Sequence, residues 1–250
     1  MKYSILMPYY RKSMIHNTFV SFLHHYAARK DYEVIVMEDR KNIEEKTEHL
    51  LLKNTIKIFS PFIKINHIET DFKPSCAPCR MFNLGARKAM GNFLVLTNPE
   101  CLHLTNVLEG FDLALKENPN LYVIAAVLNA AYNGIVDKFE DFRYKMIGWY
   151  QHSKHRNRRL HFCSVLSRGL YNRIGGFDEG YANGFGREDV DFLRNLIANK
   201  IAVVTRDDVI AVHMEHPPIP DMKRLWNINK VYYAKKWQET IGEFNESSDF

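Results

Sequence analysis

The sequence predicts an α/β protein built on a mostly parallel central sheet with helices on its faces. Short β-branched runs alternate with amphipathic stretches through the first half of the chain. This order is typical of right-handed βαβ units, which place successive strands side by side in one sheet. Among the 250 residues, 46% are hydrophobic and 25% are charged, which is ordinary for a globular protein with a large core.

Strands are predicted in this half where short apolar runs end at polar or turn-forming residues. The run at 3–7 stops at Pro8, and the β-branched run at 32–37 stops at the acidic pair Glu38-Asp39. In chain order, the predicted extended segments are 3–7, 32–37, 56–59, 63–68, 92–97 and 121–128.

Helices are predicted between these segments, where apolar residues recur every three or four positions. They cover residues 16–30, 42–53, 80–90 and 106–116. Gly91 follows the third helix, and we expect it to end that helix in the left-handed conformation that glycine adopts readily.

The second half of the chain is less regular. In order, it predicts an extended stretch at 162–166, a Gly-rich turn at 175–180, a helix at 188–199, a hairpin-like strand pair at 202–205 and 209–214, and a helix at 222–237. The apolar stripe expected for the helix 188–199 is Val190, Leu193 and Ile197.

The last helix is basic and aromatic, and two placements fit it. Its apolar positions can cover the sheet, or they can make a peripheral contact with a membrane surface. These positions are Leu225, Trp226, Ile228, Val231 and Tyr232. We favour packing against the sheet.

Residues 151–161 form a strongly basic segment without apolar periodicity. Such segments are usually solvated loops, and the alternative is a loop that attracts a phosphorylated or acidic ligand. The basic residues do not repeat along a helix face, and no nucleic-acid-binding signature is present. Nucleic acid is therefore not an expected partner.

The chain opens with a predicted strand and not with a signal peptide. No apolar run approaches the roughly 20 residues that span a bilayer. Four cysteines without an export signal predict reduced thiols and a cytoplasmic location.

Polar residues follow three of the predicted strands, at Pro8-Tyr9-Tyr10, Glu38-Asp39 and Asn98-Pro99-Glu100. Ligands of open α/β sheets bind beyond the carboxyl ends of the strands. The Asp39 carboxylate can accept a hydrogen bond from a nucleotide base or ribose, and Tyr10 offers a flat surface to the base. Acids and turns also simply end strands, so this motif alone leaves both interpretations open.

Four segments of the first half resemble the nucleotide-binding half of a GT-A glycosyltransferase of the family 2 type. They are the run from Ser4 to Tyr10, the run from Tyr32 to Asp39, Arg80 with Asn83-Leu84-Gly85, and the strand that ends in Asn98-Pro99-Glu100. Further on, residues 162–167, 175–179 and 184–193 are similar to the acceptor half of galactosyltransferases and polypeptide N-acetylgalactosaminyltransferases. The match runs from about residue 3 to about residue 216.

This resemblance implies a single GT-A domain over residues 1–250. Residues 1–128 would form the nucleotide-sugar-binding half, 129–220 the acceptor and catalytic half, and 221–250 a C-terminal helix and tail. The implied activity is a hexosyl or N-acetylhexosaminyl transfer from a nucleotide diphosphate sugar, with a UDP-sugar favoured, to a hydroxyl of a glycan or another acceptor. Inversion at the anomeric carbon is expected. The alternative is a catalytically inactive nucleotide-sugar or glycan-binding protein on the same fold.

The resemblance also implies roles for individual residues. Asp189 would be the general base, and Glu188, Trp149 and Tyr150 would bind the acceptor. The donor would contact Pro8, Tyr10, Asp39, Arg80 and Asn98. Acids in a first helical turn also complement the helix dipole, which is the structural alternative for Glu188 and Asp189.

The resemblance also implies metal assistance, but the usual Asp-x-Asp motif reads Asn98-Pro99-Glu100 here. Glu100 keeps an oxygen ligand, and His213 fits the further histidine ligand of the family, with His216 as its substitute. Oxygen and imidazole ligands suit Mn²⁺, with Mg²⁺ as the second choice. Weak metal binding, metal-free catalysis with basic residues of 151–161, or an inactive enzyme would each explain the departure.

Overall fold

The computed structural model describes residues 1–9, 14–39, 46–72, 78–218 and 221–238. Their strands are β1 (Tyr3–Tyr9), β2 (Tyr32–Asp39), β3 (Ile65–Thr70), β4 (Phe93–Leu96), β5 (Cys101–His103), β6 (Leu121–Tyr132), β7 (Tyr144–Gln151), β8 (Ser164–Ser167) and β9 (Ala202–Met214). Their helices are α1 (Ile15–Tyr26), α2 (Lys46–Phe59), α3 (Cys79–Lys88), α4 (Val107–Glu117), α5 (Arg168–Arg173), α6 (Glu188–Ala198) and α7 (Met222–Trp237).

All of these strands belong to one curled sheet with the order β3-β2-β1-β4-β8-β6-β9-β5, and β7 pairs with β6 outside this path. The neighbours from β3 to β4 are parallel, as βαβ units require. β8 runs antiparallel to both β4 and β6, whereas β6 and β9 are parallel to each other. The predicted α/β class is thus confirmed, with antiparallel strands in the second half of the sheet.

Helices pack on both faces of the sheet. One apolar core joins β1 and β2 to α1, α2 and α4, and the other joins β1, β2 and β4 to α3, α5 and α6. Strands covered on both faces read as continuous apolar runs, which is why β1, β2 and β6 were visible in the sequence.

Two predicted element types are wrong. Residues 56–59 were expected to be extended, but they form the last turn of α2, where Phe59 is buried against Phe19. Residues 202–214 were expected to form a hairpin, but they are the single strand β9. The pairing of β6 with β9 jumps from Ala125–Arg206 to Ala126–Ile210, so residues 207–209 bulge out of the ladder without reversing the chain.

Gly91 does not have the predicted left-handed conformation, since the left-handed glycines in the described ranges are Gly134, Gly175, Gly176 and Gly186. Its small size is what the fold uses. A Cβ atom at Gly91 would lie 2.5 Å from the backbone nitrogen of Ser4, so a larger residue would push β1 away.

The apolar stripe predicted for α6 is also displaced. The residues of α6 that face the core are Phe192 and Leu196, while Ile197 is 55% exposed. Glu188 lies on the same buried face as Phe192 and Leu196. This displacement brings the first acid of the helix inside the protein.

The helix α7 has the predicted bounds and packs on the second half of the domain. Lys236 Nζ lies 2.7 Å from Asp178 Oδ2 and 2.9 Å from Asp191 Oδ2. Trp226 is buried, but Ile228 and Val231 of the predicted packing set are exposed. Across the residues described here, no helix combines the length and apolarity needed to cross a membrane.

Candidate active site

The strands β1, β2, β4, β6 and β9 end at one edge of the sheet, because they keep the same direction on both sides of the antiparallel β8. Because β8 runs in the opposite direction, the residues that precede it lie at this same edge. The second half of the domain also supplies the first turn of α6. The candidate site is built along this edge.

Two of the expected donor-binding residues lie on neighbouring strands here. Pro8 of β1 pairs in register with Met37 of β2, two positions before Asp39. Pro8 and Asp39 are both buried. Tyr10, the third expected residue of this group, lies outside the described residues.

Glu38 lies next to Asp39 at the end of β2 and is held there by two histidines. Successive side chains of a strand point to opposite faces, so Glu38 is directed away from the face of Asp39. Its carboxylate lies 2.7 Å from His49 Nδ1 and 2.7 Å from His67 Nε2. Burial raises the pKa of Glu38, but the hydrogen bonds from His67 and His49 outweigh it and hold the pKa below its ordinary value.

Arg80 and Asn83 lie at a joint between the two halves of the domain. Asn83 Nδ2 donates to the Phe177 carbonyl at 2.9 Å, and the Phe177 N–H donates to Asn83 Oδ1 at 3.0 Å. Arg80 Nε lies 3.7 Å from Glu179 Oε2. Gly176 has a φ of +72°, and a Cβ there would lie 2.5 Å from Asn83 Oδ1. The Gly-rich turn is therefore shaped to receive Asn83.

The Asn98-Pro99-Glu100 turn connects β4 to β5 and is held from both sides. Asn98 Nδ2 donates to Glu100 Oε1 at 3.1 Å, and Thr18 Oγ1 of α1 donates to the Pro99 carbonyl at 2.6 Å. The Met214 N–H donates to the Glu100 carbonyl at 2.9 Å. Glu100 is 1% exposed, so its carboxylate has a fixed position inside the protein.

The end of β9 brings two histidines to this carboxylate. His213 pairs with Cys101, the residue after Glu100, in the antiparallel β5–β9 ladder. His216 Nε2 lies 3.8 Å from Glu100 Oε1. One ligand atom each from Glu100, His213 and His216 lie within 4.8 Å of one another.

These three side chains fit a divalent metal. His213 Nδ1 lies 2.8 Å from Asn129 Oδ1, which places the proton on Nδ1 and the lone pair on Nε2. Metal-binding imidazoles are usually oriented by such a hydrogen bond on the second ring nitrogen. One carboxylate and two imidazoles form a ligand set that first-row transition ions such as Mn²⁺ accept.

A second group of potential ligands consists of Glu38, His49 and Glu69, whose atoms also lie within 4.8 Å of one another. Glu38 is already hydrogen-bonded to two imidazoles there, and Glu69 lies 3.3 Å from Lys53 Nζ. A nearby ammonium opposes cation binding. We therefore take the Glu100 group as the candidate metal centre.

The first turn of α6 carries Glu188 and Asp189 in different surroundings. The preceding residue Arg187 has a φ of +70°, which turns the chain sharply into the helix. Glu188 is 6% exposed, and Asp189 is half-buried. Burial raises the pKa of Glu188, and the charge of Asp189 raises it further, to about 8.

Tyr150 relates the Glu100–His213–His216 group to the acids at the start of α6. Its ring centroid lies 5.1 Å from that of His213 and 4.7 Å from that of Phe162. Burial raises the pKa of Tyr150, and the charges of Asp189 and Glu100 raise it further. Tyr150 thus contacts a residue of the candidate metal centre, and the charge of the candidate base acts on it.

The basic segment approaches the same place. Arg156 Nη1 donates to the Trp149 carbonyl at 3.1 Å, and the His155 ring stacks on Trp149 with centroids 5.9 Å apart. The charges of Arg158 and Arg156 act against the rise of the Tyr150 pKa. Cationic side chains therefore border the site on the side of β7.

Two residues of this edge were not anticipated. Asn129 is a polar residue within the apolar run of β6, a signal that the sequence contained. His161 precedes β8, is 4% exposed and is surrounded by aromatic rings. Only the packed structure distinguishes His161 from the other histidines of the basic segment.

No protein-family model matches the sequence, and no curated protein sequence matches it. Solved structures match along the whole chain. TarS of S. aureus superposes with a TM-score of 0.64 at 13% identity, over 100% of this chain and 41% of TarS. The chain therefore spans less than half the length of that protein.

Two further structures contain donor molecules. S. aureus TarS 1-349 in complex with UDP-GlcNAc has a TM-score of 0.67 at 13% identity, over 100% of this chain and 69% of the other. The mannosyltransferase PcManGT from Pyrobaculum calidifontis, in complex with GDP-Man and Mn²⁺, has a TM-score of 0.63 at 14% identity, over 99% and 67%. These likenesses establish a GT-A-type glycosyltransferase fold.

Proposed function

We propose that this protein transfers a sugar from a nucleotide diphosphate sugar to a hydroxyl group of an acceptor. The observation that carries the proposal is the position of Tyr150, which contacts His213 of the Glu100–His213–His216 group and on which the charge of Asp189 acts. A glycosyl transfer needs positive charge at the leaving diphosphate and a base at the attacking hydroxyl, a short distance apart. The fold supports this function, because its structural neighbours include a mannosyltransferase with GDP-Man and Mn²⁺.

The donor would bind at the ends of β1 and β2. Asp39 would accept a hydrogen bond from the base or ribose, and Pro8 and Tyr10 would contact the nucleoside. Asn98 would face the diphosphate beside Glu100. Arg80 would contribute through its position on the joint with Glu179, which keeps its guanidinium near the second half of the domain. A UDP-sugar is the favoured donor, since TarS 1-349 has been solved with UDP-GlcNAc.

A divalent ion, Mn²⁺ or Mg²⁺, would be held by Glu100 and His213, with His216 as a further ligand. Such an ion supplies Lewis-acid stabilisation of charge on a diphosphate. Asn129 would hold His213 in the metal-binding tautomer. Arg156 and Arg158, whose charges act on Tyr150, would add positive charge near the leaving group.

The acceptor would lie against Trp149 and Tyr150, with its hydroxyl between Glu188 and Asp189. Asp189 would remove the proton from this hydroxyl. With its raised pKa, Glu188 keeps a proton at neutral pH, so it would donate a hydrogen bond to the acceptor. A single displacement of this kind inverts the configuration at the anomeric carbon, because the acceptor hydroxyl attacks from the side opposite the leaving diphosphate.

The second candidate is a nucleotide-sugar or glycan-binding protein without activity, and the loss of the Asp-x-Asp motif favours it. A protein that only binds has no use for a base. This chain nevertheless keeps Asp189, which is half-buried at the start of α6 and whose charge acts on Tyr150. We therefore prefer the enzyme.

The free thiols of Cys79, Cys101 and Cys163 support a cytoplasmic location, where such thiols stay reduced. Contact of α7 with a membrane surface would use the exposed Ile228 and Val231, since Trp226 is engaged in packing. The transfer mechanism does not depend on such a contact.

The test is a thermal-shift screen of UDP-GlcNAc, UDP-glucose, UDP-galactose and GDP-Man, each with and without Mn²⁺. A bound donor stabilises the native state by mass action. We expect one nucleotide sugar to raise the melting temperature more than its free nucleotide does, and slow release of nucleotide diphosphate in the same sample. Binding without release in wild type would favour the inactive binder.

A further inference from the structure

His161 has an unusual environment for a buried histidine. It is 4% exposed, and neither ring nitrogen has a hydrogen-bond partner within the described chain. Its ring contacts Phe82 and Phe177 edge to face, with centroids 5.1 and 5.4 Å away. Burial of an unsatisfied polar group is costly, and phenylalanine would suit these aromatic neighbours better.

The backbone around His161 is held in place by several hydrogen bonds. The Ser164 hydroxyl donates to the His161 carbonyl at 2.9 Å, and Gln151 Nε2 donates to the Phe162 carbonyl at 2.8 Å. Cys163 has a φ of +50°, which is a strained conformation for a residue with a side chain. The fold therefore keeps this imidazole in one position at a cost in stability.

That position lies close to the candidate metal centre, because the ring of the next residue, Phe162, has its centroid 5.3 Å from that of His213. The charges of Asp189 and Glu100 both act on His161. Burial nevertheless lowers the pKa of His161 to about 4, so the ring is neutral at pH 7. A neutral imidazole offers one donor and one acceptor, which matches the hydrogen-bonding capacity of a sugar hydroxyl.

Other buried polar atoms on the same edge also have no partner among the described residues. They are Thr97 Oγ1, Asn98 Oδ1 and Glu188 Oε2. Native proteins leave few such atoms, and those that persist call for an explanation. They lie just after β4 and at the start of α6, where a bound ligand would satisfy them.

We propose that His161 is a specificity-determining residue that hydrogen-bonds a hydroxyl of the sugar being transferred. The inference rests on the proposed function. The transferred sugar would connect the diphosphate near Glu100 to the acceptor hydroxyl near Asp189, and the charges of both residues act on His161.

The main test compares His161→Phe with wild type. Equilibrium binding of UDP-GlcNAc and GDP-Man is measured beside UDP and GDP, in Mn²⁺. We expect His161→Phe to fold with unchanged or higher melting temperature and to bind the free nucleotides normally. Its preference for the wild-type nucleotide sugar over the free nucleotide should fall at least tenfold. His161→Gln, which keeps a donor and an acceptor, should restore part of that preference.

His103→Phe is the matched control. His103 is also fully buried, but its Nδ1 lies 2.6 Å from the Tyr26 hydroxyl. Phenylalanine there leaves a buried hydroxyl unsatisfied, so we expect a lower melting temperature and an unchanged preference for the nucleotide sugar. His161→Phe should therefore change sugar binding without loss of stability, whereas His103→Phe should lose stability without a change in sugar binding.

The inference is overturned if His161→Phe keeps the full preference, or if it loses free-nucleotide and sugar binding in parallel. If His161→Phe does not fold, His161→Ala carries the same comparison without added bulk. If wild type itself binds no nucleotide sugar more tightly than its nucleotide, the proposed function fails, and the result is distinguishable from a failure confined to His161.

Discussion

His213 and Asn129 face each other across the β6–β9 ladder, and His213 Nδ1 lies 2.8 Å from Asn129 Oδ1. The register of two strands thus decides which nitrogen of His213 carries its proton. This relationship connects the fold to the proposed metal centre, because the metal needs the other nitrogen.

Asn129→Ala tests this relationship. Loss of the hydrogen bond leaves the imidazole free to adopt the wrong tautomer, and we expect Mn²⁺ affinity in the presence of UDP to fall about 10–100-fold. Titration calorimetry of Mn²⁺ into the protein with UDP gives the affinity. Substitution of Asn195, whose Nδ2 instead donates to the Ile174 carbonyl, is the control and should leave the metal affinity unchanged. Equal affinities for Asn129→Ala and wild type would remove Asn129 from the site.

Removal of the metal is the second prediction. Glu100 and two histidines give a metal site with few negative charges, so the ion should bind tightly only together with the nucleotide diphosphate. EDTA should abolish nucleotide release from the donor, and Mn²⁺ should restore it. Glu100→Gln should require at least tenfold more Mn²⁺ for half-maximal activity. Full activity in chelator would mean that Arg156 and Arg158, and not a metal ion, stabilise the charge of the leaving diphosphate.

Asp189→Asn tests the base. The Val190 N–H donates to Asp189 Oδ1 at 2.7 Å, and asparagine can accept the same bond. We expect a stable protein with normal donor affinity and with transfer reduced on the order of 10²–10⁴-fold. Donor affinity is measured by calorimetry and transfer by nucleotide release in the presence of acceptor.

Asp191→Asn, two residues on, is the matched control for this substitution. Asp191 accepts hydrogen bonds from Lys236 Nζ and from Trp237 Nε1 at 2.9 and 2.7 Å. Its replacement should lower the free energy of unfolding by about 1–3 kcal/mol while keeping specific activity. If Asp189→Asn behaves like Asp191→Asn, Asp189 is a structural residue.

The pH dependence of stability tests Glu188. Burial and Asp189 raise the pKa of Glu188 in the folded protein to about 8, above its ordinary value of 4.5. The native state then holds a proton that the unfolded state releases, so the free energy of unfolding falls as pH rises from about 4.5 to 8. Glu188→Gln mimics the protonated form at every pH.

We therefore expect Glu188→Gln to be more stable than wild type at pH 8, on the order of 4 kcal/mol, and similar to it at pH 4.5. Urea denaturation at both pH values gives the difference. A constant difference between the two proteins across this range would show that Glu188 titrates normally.

The sequence by itself determined how the parallel strands and the helices follow one another along the chain. β1, β2, α3, β4 and α7 were predicted close to their observed bounds, because buried strands and amphipathic helices have local patterns. It also pointed to Glu100, His213, His216, Glu188 and Asp189, all of which lie near the end of a predicted strand or begin a predicted helix. Their roles remain predictions, but their proximity at one edge follows from parallel strand direction.

The tertiary structure alone decided what depends on pairing between distant segments. β5 and β7 have no strong local pattern, and they exist because β9 and β6 offer them partners. The 202–214 segment is one strand because β6 is long enough to pair with all of it except the bulge. The buried face of α6 was likewise set by the rings it meets, Tyr122, Tyr171 and Phe177, and not by its own periodicity.

Long-range packing also explains which properties of the site residues could not be predicted from the sequence. The burial of His161 depends on Phe82 of α3 and Phe177 of the Gly-rich turn, which are far from it in the chain. The proton position on His213 depends on the register with Asn129. Residue type and spacing identify the groups that can do chemistry, but their protonation and partners are properties of long-range packing, which a local pattern does not contain.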